Sequence, residues 1–244
     1  MENRDDESNT KNLTKKQRKI SRIKNIILDG ASQLFLNQRY ENVTMSDIAD
    51  FVAFSRATLY NYFRTKEDIY FAIGSRYAKE LINKMKKLFD SRKTGLDGLL
   101  SLYKFIFEGL LEFPLIPQIL ESLYQILNEL NLLESFISAA LLEDDSTEIQ
   151  AKIDSLDKHI MDFAKYIINY RKILNAEFRR GKKDGSIQTP LDELRFFSFM
   201  NIIYLGSGSF FRNFQIPLNQ KWMTVNEVIE LILKIVESQL TNQI

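Results

Sequence analysis

The sequence has no cysteine and only one histidine among its 244 residues. The absence of cysteine excludes disulfide bonds and thiolate metal sites, and it fits a reducing compartment such as the cytoplasm. Histidine-based zinc sites need more than one histidine, so His159 alone does not indicate one. We predict no metal site and no cofactor. For His159 we expect a surface or packing role, with contact to a ligand or an anion as the alternative.

Glycine and proline are scarce, with nine and four copies, and this favours long helices. The longest uncharged stretch, residues 196–211, contains Asn, Ser and Gly and is too short and too polar to span a bilayer. No apolar segment follows the charged start, so we expect no signal peptide. The chain has no nucleophile–base–acid set and no glycine-rich phosphate loop. We therefore expect a cytoplasmic protein that makes no membrane contact and is not an enzyme.

Three signals for the start of a helix are present within one short segment. Thr44 and Asp47 have the spacing of a capping box, and Thr65 and Asp68 repeat that spacing. Ser55 is a suitable N-cap between them. The three signals predict two short helices joined by a tight turn and followed by the start of a longer helix.

Each of the two short helices has an apolar face. Apolar residues recur at helical spacing, with Met45, Ile48, Ala49 and Val52 on the first helix and Leu59 and Phe63 on the second. The other face of the second helix carries groups that can contact DNA, namely Ser55, Arg56, Thr58, Tyr60, Asn61 and Tyr62. This arrangement is typical of a helix-turn-helix, whose second helix enters the major groove. On spacing alone, a small helical subdomain without a DNA-binding role is the alternative.

Positive charge is concentrated around this motif. Residues 11–24 contain seven Lys or Arg and no acid, and residues 11–66 contain eleven Lys or Arg and four Asp or Glu, a net charge of +7. The whole chain has a formal net charge of only +1. A Lys-rich terminus often serves only solubility, but its position beside the motif favours binding of a polyanion such as DNA.

A longer series of residues around the motif has a recognisable order and spacing. Its members are Ile20, Ile23, Ile27, Ala31, Leu34, Phe35, Thr44, Ile48, Ala49, Ser55, Arg56, Ala57, Thr58, Leu59, Tyr60, Tyr62, Phe63, Lys66 and Glu67. The series resembles the N-terminal DNA-binding domain of TetR-family transcriptional regulators over about residues 18–70. It departs from the family pattern at Arg39, Ala53 and Ala57, where glycine is usual. Ala53 lies in the turn, where glycine tolerates a positive φ more easily.

The resemblance implies an all-α fold with an N-terminal three-helix helix-turn-helix domain and a C-terminal helical domain for ligand binding and dimerisation. The DNA-binding residues that it implies are Thr44, Ser55, Arg56, Ala57, Thr58, Tyr60, Asn61, Tyr62 and Lys66. In this set Thr44, Tyr60, Tyr62 and Lys66 correspond to phosphate contacts, Arg56, Thr58 and Asn61 correspond to base contacts, and Ala57 permits close approach to the groove. We expect a flexible basic arm at residues 1–17, the DNA-binding domain at 18–66 and the effector and dimerisation domain at 67–244.

The rest of the chain has helical periodicity. Apolar positions that alternate by four and three residues predict one long helix that starts at Thr147 and has Gly181 as its C-cap. We predict that the next helix starts at Thr189 and Pro190, with proline at the first helical position. The last helix is predicted to start at Thr224.

The last two helices, at about 191–214 and 224–242, are apolar on more than one side. Such helices must be covered on several sides, either by the rest of the chain or by a second copy. In TetR-like proteins the corresponding helices form a four-helix dimer interface. A helix-turn-helix that reads paired half-sites also requires two-fold symmetry. We therefore predict a homodimer through these two helices.

Aromatic residues are frequent in the middle helices, and we identify hardly any charged group there that would point inward. A cavity lined in this way would suit an apolar or amphiphilic small molecule. The predicted lining residues are Tyr103, Phe107, Phe113, Tyr124, Leu127, Phe163, Tyr166 and Ile167. A packed core without a cavity is the alternative, because aromatic residues at helical spacing are common in cores.

Together these features predict a transcriptional regulator that binds a double-stranded DNA operator. We expect a repressor that is released when its ligand enters the helical domain and shifts the helix after the DNA-binding domain, from Ile69 to Leu88. Two other classes remain open. A helical carrier of apolar ligands would lack salt-dependent affinity for DNA, and an architectural DNA-binding protein would have a filled core and no effector.

Overall fold

The computed structural model describes residues 14–88, 94–141, 146–213 and 224–241. These residues form helices, a short 3-10 turn at Tyr40–Asn42 and connecting turns, so the predicted all-α class is confirmed. In chain order the helices are α1 (Lys15–Asn37), α2 (Met45–Phe51), α3 (Arg56–Tyr60), α4 (Lys66–Leu88), α5 (Gly95–Glu112), α6 (Ile116–Glu129), α7 (Leu133–Leu141), α8 (Thr147–Asp154), α9 (Lys158–Asp184), α10 (Glu193–Asn213) and α11 (Val225–Thr241). Within the described ranges, no helix combines the length and the apolar character needed to cross a membrane.

The chain divides into two compact units, Met1–Ile73 and Gly74–Ile244, and the division falls within α4. In the first unit, Ile27, Ile48 and Leu59 are fully buried and come from α1, α2 and α3. Full burial of one such side chain contributes about 1.5–3 kcal/mol. The two short helices α2 and α3 are therefore held by tertiary packing, because helices of this length are unstable alone.

The second unit is built around α5. This helix packs against α9 and α11, while α6 packs against α10 and α7 packs against α9. The α5–α9 contact is so close that a Cβ atom on Gly95 would overlap the backbone of Gly181. Glycine is required at this crossing because any side chain would push the two helices apart.

α1 begins at Lys15, two residues before the predicted end of the flexible arm at residue 17. The Gln17 N–H donates to Thr14 Oγ1 at 3.2 Å, and the Thr14 N–H donates to Gln17 Oε1 at 2.8 Å. This capping box nucleates the helix earlier than the basic composition alone indicated. The part of the predicted arm before Thr14 lies outside the described residues.

The predicted single helix from Thr147 is wrong, because α8 and α9 are separate and residues 155–157 lie between them. The Ser155 hydroxyl donates to the Lys152 carbonyl at 2.6 Å and ends α8, as serine side chains that compete for backbone groups often do. Leu156 is nevertheless buried within the break. The apolar period therefore predicted correctly that Leu156 faces inward, but it did not predict the break between the two helices.

The predicted C-cap at Gly181 is also wrong. α9 continues to Asp184, and its C-cap is Gly185, which has a φ of 78° in the left-handed region. Gly181 lies inside the helix, where it is buried and in contact with Ile187. Its small size serves the helix crossing with Gly95, so the glycine has a packing role.

α10 begins at Glu193, after the start that Thr189 and Pro190 predicted. Asp192 is the capping residue, and its Oδ1 accepts from the Arg195 N–H at 2.8 Å. The Thr189 N–H is already bonded to the Leu240 carbonyl at 3.1 Å, so this stretch of backbone is held at the end of α11. For α11, the predicted start at Thr224 is confirmed by the 3.2 Å bond from the Glu227 N–H to Thr224 Oγ1.

Candidate nucleic-acid interface and internal cavities

Residues 44–66, here called the recognition segment, begin with the predicted capping box. The Thr44 N–H and hydroxyl both donate to Asp47 Oδ2, at 2.8 and 2.7 Å, and the Asp47 N–H donates back to Thr44 Oγ1 at 3.2 Å. The hydrogen bonds from Thr44, with a smaller contribution from the charge of Arg56, hold the pKa of Asp47 below its usual value. These hydrogen bonds therefore fix the backbone at the exposed start of α2.

The turn between α2 and α3 is closed by a left-handed residue. Ala53 has a φ of 55°, the Phe54 N–H donates to the Ala49 carbonyl at 2.9 Å, and the Ala53 N–H donates to the Asp50 carbonyl at 3.2 Å. These two bonds form a Schellman motif, which usually contains glycine at the left-handed position. The alanine adopts the geometry that the resemblance required of glycine, at a local cost in strain.

α3 is half buried and half presented to solvent. Ser55 caps it by accepting the Thr58 N–H at 3.1 Å, and Leu59 packs into the core with no exposed surface. Of the nine predicted DNA contacts, Thr44, Ser55, Arg56, Ala57, Tyr60 and Asn61 are exposed, and Thr58, Tyr62 and Lys66 are half-buried. The ring of Tyr60 remains 52% exposed despite its apolar character. One side of α3 is thus available for contact with another molecule.

Arg56 and Lys66, the two positively charged residues among the predicted DNA contacts, also form contacts within the first unit. The Arg56 guanidinium donates to Ser46 Oγ at 2.5 Å, and Lys66 Nζ donates to the Tyr40 carbonyl at 2.6 Å. Lys66 Nζ also lies 4.2 Å from the centroid of the Tyr40 ring. Burial lowers the pKa of Lys66, with the charge of Glu41 acting in the opposite direction. Lys66 therefore fastens the segment to the 3-10 turn, and a phosphate would have to share its ammonium with the Tyr40 carbonyl.

Additional positive charge lies on α1. Lys15, Lys16, Arg18 and Lys19 are exposed there, and Lys24 lies with its ammonium 5.1 Å from the centroid of the Phe63 ring. This last contact connects α1 to the recognition segment. The predicted basic arm is therefore helical in its described part, and Lys11 lies outside the described residues.

The comparisons with known proteins agree with this geometry. Residues 27–73 match the family model of bacterial regulatory proteins, tetR family. Over these residues the chain is therefore of the tetR-family type. The matched range contains the recognition segment, the turn at Ala53 and the start of α4. No curated protein matches the sequence.

Solved structures of TetR-family and related regulators share the fold at low sequence identity. The ketosteroid transcriptional regulator KstR2 of Mycobacterium tuberculosis is 19% identical, with a TM-score of 0.62 over 89% of this chain and 94% of that chain. The regulator FadR from Bacillus subtilis, solved with stearoyl-CoA, is 18% identical, with a TM-score of 0.55 over 88% and 97%. A TetR/AcrR-family regulator from Thermobifida fusca YX-ER1 is 18% identical, with a TM-score of 0.52 over 88% and 96%.

The second unit contains two adjoining apolar cavities. The inner cavity has a volume of about 30 Å³, which is room for roughly one water molecule. The outer cavity has a volume of about 280 Å³. The inner cavity is lined by Ala78, Leu81, Ile82, Tyr103, Ile106, Ile116, Leu120, Ile167, Tyr170, Arg171, Met200, Asn201 and Tyr204. The outer cavity is lined by Tyr124, Leu133, Phe136, Ile137, Ala140, Arg171, Leu194, Phe197, Ser198 and Asn201.

The predicted ligand-contact residues divide into three groups in the structure. Tyr103 and Ile167 line the inner cavity, and Tyr124 lines the outer cavity. Phe107, Phe113, Leu127 and Phe163 are buried but are not among the lining residues of either cavity. Tyr166 is half-buried and lines neither. Aromatic frequency therefore indicated residues that are buried or half-buried in the second unit, but it did not separate packing residues from cavity-lining residues.

The sequence interpretation that found hardly any inward charge is corrected at Arg171. This residue is only 5% exposed and lies on the wall shared by both cavities. The helical period contains the missing signal, because Arg171 follows the buried Ile167 by four residues and precedes the buried Leu174 by three. A residue at such a position must face inward whatever its charge.

Arg171 belongs to a polar network that joins three helices. Its guanidinium donates to the side-chain oxygen of Asn201 on α10, and Asn201 Nδ2 donates to the Tyr124 hydroxyl on α6 at 3.0 Å. Burial raises the pKa of Tyr170 to about 12 and also raises the pKa of Tyr103 and of Tyr204. The phenols around the inner cavity therefore remain neutral hydrogen-bond donors at physiological pH.

Proposed function

We propose that this chain is a homodimeric repressor that binds operator DNA and is released by an apolar or amphiphilic small molecule. The observation that carries the DNA-binding part is the presentation of α3, which buries Leu59 completely and exposes Arg56, Ala57, Tyr60 and Asn61 on the opposite side. A recognition helix of a helix-turn-helix needs this division between core and contact surface. The function requires no catalysis and would be carried out in the cytoplasm, where the operator is.

The exposed side of α3 has the chemistry for both base and phosphate contacts. Arg56 has the planar fork that binds guanine with two hydrogen bonds, and the Asn61 amide can pair with adenine. The small side chain of Ala57 leaves room beside them. We assign Tyr60 and Tyr62 to phosphate contacts, which set the register of the helix on the duplex.

The remaining proposed contacts are at the two ends of the recognition segment and at its caps. Thr44 is the N-cap of α2 and Lys66 is the first residue of α4, so each has backbone N–H groups nearby that can accompany a phosphate contact. The Ser55 and Thr58 hydroxyls lie 2.8 Å apart at the start of α3. Thr58 can also contact a thymine methyl group.

The dimer is supported by exposed apolar residues on the two helices that the sequence indicated. Phe199 and Ile202 of α10 are 40% and 72% exposed, and Leu231 and Ile235 of α11 are 47% and 49% exposed. No described residue lies near the position that a Cβ atom on Gly206 would occupy, and Gly206 follows Ile202 on the same face of α10. A second copy of the chain would cover this apolar surface and supply the second recognition helix.

The ligand part of the proposal is supported by the outer cavity and by two structural relatives. The cavity is apolar along most of its wall and lies close to the lower limit of common ligand-site volumes, roughly 300 Å³. The related folds belong to a ketosteroid regulator and to a regulator solved with stearoyl-CoA. Ala78 and Leu81 of α4 line the adjoining inner cavity, so we propose that a ligand shifts this helix, whose first turn contains Lys66.

A gel shift on the DNA upstream of the chain's own gene tests the proposal. Arg56→Ala and Tyr60→Ala should each weaken binding by about tenfold or more, because a lost bidentate or phosphate contact costs roughly 1–3 kcal/mol. Lys183→Ala, which removes an exposed charge from α9, is the matched control. At the same salt concentration it should bind DNA like the wild type. If Arg56→Ala and Tyr60→Ala bind as tightly as the wild type, the proposed DNA interface is incorrect.

A further inference from the structure

We propose that Arg171 is an internal receptor for an anion, and that the effector is therefore a compact amphiphile whose acidic group binds inside the second unit. This inference rests on the proposed function, because it assumes that the cavities hold the effector. It adds the charge and the position of the ligand's polar end. The apolar body of the ligand would lie in the outer cavity, against Leu133, Phe136 and Ile137.

Within the described part of the chain, no carboxylate pairs with the charge of Arg171. Burial works to lower the pKa of Arg171, but the oxygens of Tyr124, Tyr170 and Tyr103 outweigh burial and raise that pKa above its usual value. No carboxylate among the described residues contributes. A guanidinium remains protonated in proteins, so the charge persists in the core. A buried charge without a paired ion is strongly unfavourable, and an incoming anion would relieve that cost.

A second buried ion among the described residues of this unit has the usual paired arrangement. Glu177 is 4% exposed and is paired with Arg180, whose guanidinium nitrogen lies 2.5 Å from its carboxylate. Glu177 and Arg171 lie on the same helix, α9, and are similarly buried. Among the described residues, Glu177 thus has a paired ion, whereas Arg171 at the cavity wall has only neutral partners.

Neutral donors complete the receptor. The Tyr103 hydroxyl is buried in the wall of the inner cavity and has no hydrogen-bond partner. The hydroxyl-bearing side chains of Tyr170 and Tyr204 line the same cavity. Phenolic O–H groups and guanidinium N–H groups can all donate to one carboxylate or sulfonate, and charge-assisted bonds of this kind are the strong ones.

Asn201 positions the guanidinium between the two cavities. Its side-chain oxygen accepts from Arg171, and its amide nitrogen donates to Tyr124, so each end of the amide is used. Because Asn201 is neutral, it orients the charge without neutralising it. An acidic group that enters from the outer cavity would meet Arg171 on the shared wall. The 280 Å³ volume suits an acid that carries no nucleotide.

Calorimetric titration of the full-length protein tests the charge of the ligand. The four test compounds are octanoate, octanesulfonate, octanol and methyl octanoate, which share a chain length. The first two have a compact anionic group, and the last two are neutral. We expect both anions to bind at least about tenfold more tightly than either neutral compound. A preference for octanoate alone identifies a carboxylate site, and equal affinity for both anions identifies a general anion site. If octanol binds as tightly as both anions, the inference is overturned.

Variants separate the receptor from the rest of the cavity. Arg171→Met should reduce the anion preference to less than about twofold and leave octanol binding unchanged. Tyr103→Phe removes a hydroxyl without a partner, so it should raise Tm while it weakens octanoate binding several-fold. Tyr166→Phe, at a residue that lines neither cavity, is the matched control and should not change octanoate binding. If Tyr103→Phe lowers Tm and leaves octanoate affinity unchanged, the hydroxyl is structural and this part of the inference fails.

Failure of this inference can be distinguished from failure of the proposed function. If neutral octanol releases the wild-type protein from DNA and shows the same affinity as octanoate, the regulator proposal stands and the anion receptor is rejected. If octanoate binds with the expected preference but no compound changes the gel shift, the receptor stands and ligand release is rejected. If chloride alone stabilises the protein as much as octanoate does, Arg171 holds an inorganic ion and the inference about the effector is overturned.

Discussion

The recognition segment and the polar wall of the cavities both hold polar groups in a fixed arrangement, but they do so in opposite ways. In the recognition segment the polar groups are exposed and their contacts are local, as in the bonds between Thr44 and Asp47, three residues apart. At the cavity wall, Arg171 bonds to Asn201, 30 residues away, and Asn201 bonds to Tyr124, 77 residues away. An exposed polar group costs little to present, whereas a buried one needs partners from other helices. A local motif can therefore be found in sequence, and a dispersed one cannot.

The largest expected effect separates folding from recognition within α3. Leu59→Ala should reduce the free energy of unfolding by about 4 kcal/mol, because the side chain is fully buried. Tyr60→Ala, at the exposed neighbouring residue, should change it by no more than about 0.5 kcal/mol. Urea denaturation measures both changes. Equal destabilisation by the two variants would mean that α3 does not divide into a core side and a contact side.

The second expected effect concerns the crossing that shapes the cavity unit. Gly95→Ala places a methyl group against the backbone of Gly181 and should destabilise the second unit by about 3 kcal/mol. Hydrogen exchange measured by mass spectrometry should show faster exchange in peptides of α5 and α9 and unchanged exchange in peptides of α2 and α3. Uniform acceleration in all four helices would show that the effect is not confined to the helix crossing.

A smaller effect compares one left-handed residue in each unit. Ala53 and Asn131 have φ values of 55° and 56°, and both follow the C-terminus of a helix. Ala53→Gly should stabilise the protein by about 1 kcal/mol, because alanine is strained in this region. Asn131→Gly should change stability by only a few tenths of a kcal/mol, because asparagine tolerates it. Thermal melts of both variants measure the difference, and a larger gain at Asn131 would contradict the explanation.

The smallest effect concerns pH and the helix caps. Asp47 in the first unit and Glu227 in the second both have lowered pKa values, with hydrogen bonds from Thr44 and Thr224 as the main causes. An acid with a lowered folded pKa stabilises the protein above its unfolded pKa, about 4, and this contribution is lost as pH falls through the folded value.

Asp47→Asn and Glu227→Gln should therefore be less stable than the wild type at pH 7, and the gap should close below about pH 4. Urea denaturation across this pH range measures the gap for each unit. A gap that persists unchanged at low pH would show that the carboxylate charge is not its cause. A gap in one unit only would distinguish the two caps.

The helix boundaries illustrate where sequence prediction succeeded and where it failed. Capping residues within three positions of each other were predicted correctly at Thr44 and Thr224, because the partners are local. The start of α10 was predicted incorrectly, because the backbone near Thr189 is bonded to Leu240, at the end of a different helix. The break at Ser155 was missed because the apolar period continues through it.

The candidate sites show the same division. The predicted DNA contacts all lie within residues 44–66. Those on α3 are on the side opposite the buried Leu59. Their role in DNA binding stays a prediction. Only some of the predicted ligand-contact residues line a cavity. Phe107 and Phe163 pack in the core, whereas Tyr103 and Tyr124 line the cavities. Helical period indicates burial but does not indicate which buried residues face an empty volume.

The sequence by itself determined the helical class, the caps of the recognition segment and the resemblance of residues 27–73 to the tetR family, because each depends on residues that are near one another in the chain. Only the tertiary structure brought Arg171, Asn201 and Tyr124 together on one wall. Whether a buried charge is paired or unpaired depends on helices that approach from elsewhere in the chain. For that reason the proposed DNA-contact surface can be predicted from the sequence, and the proposed anion receptor is visible only in the fold.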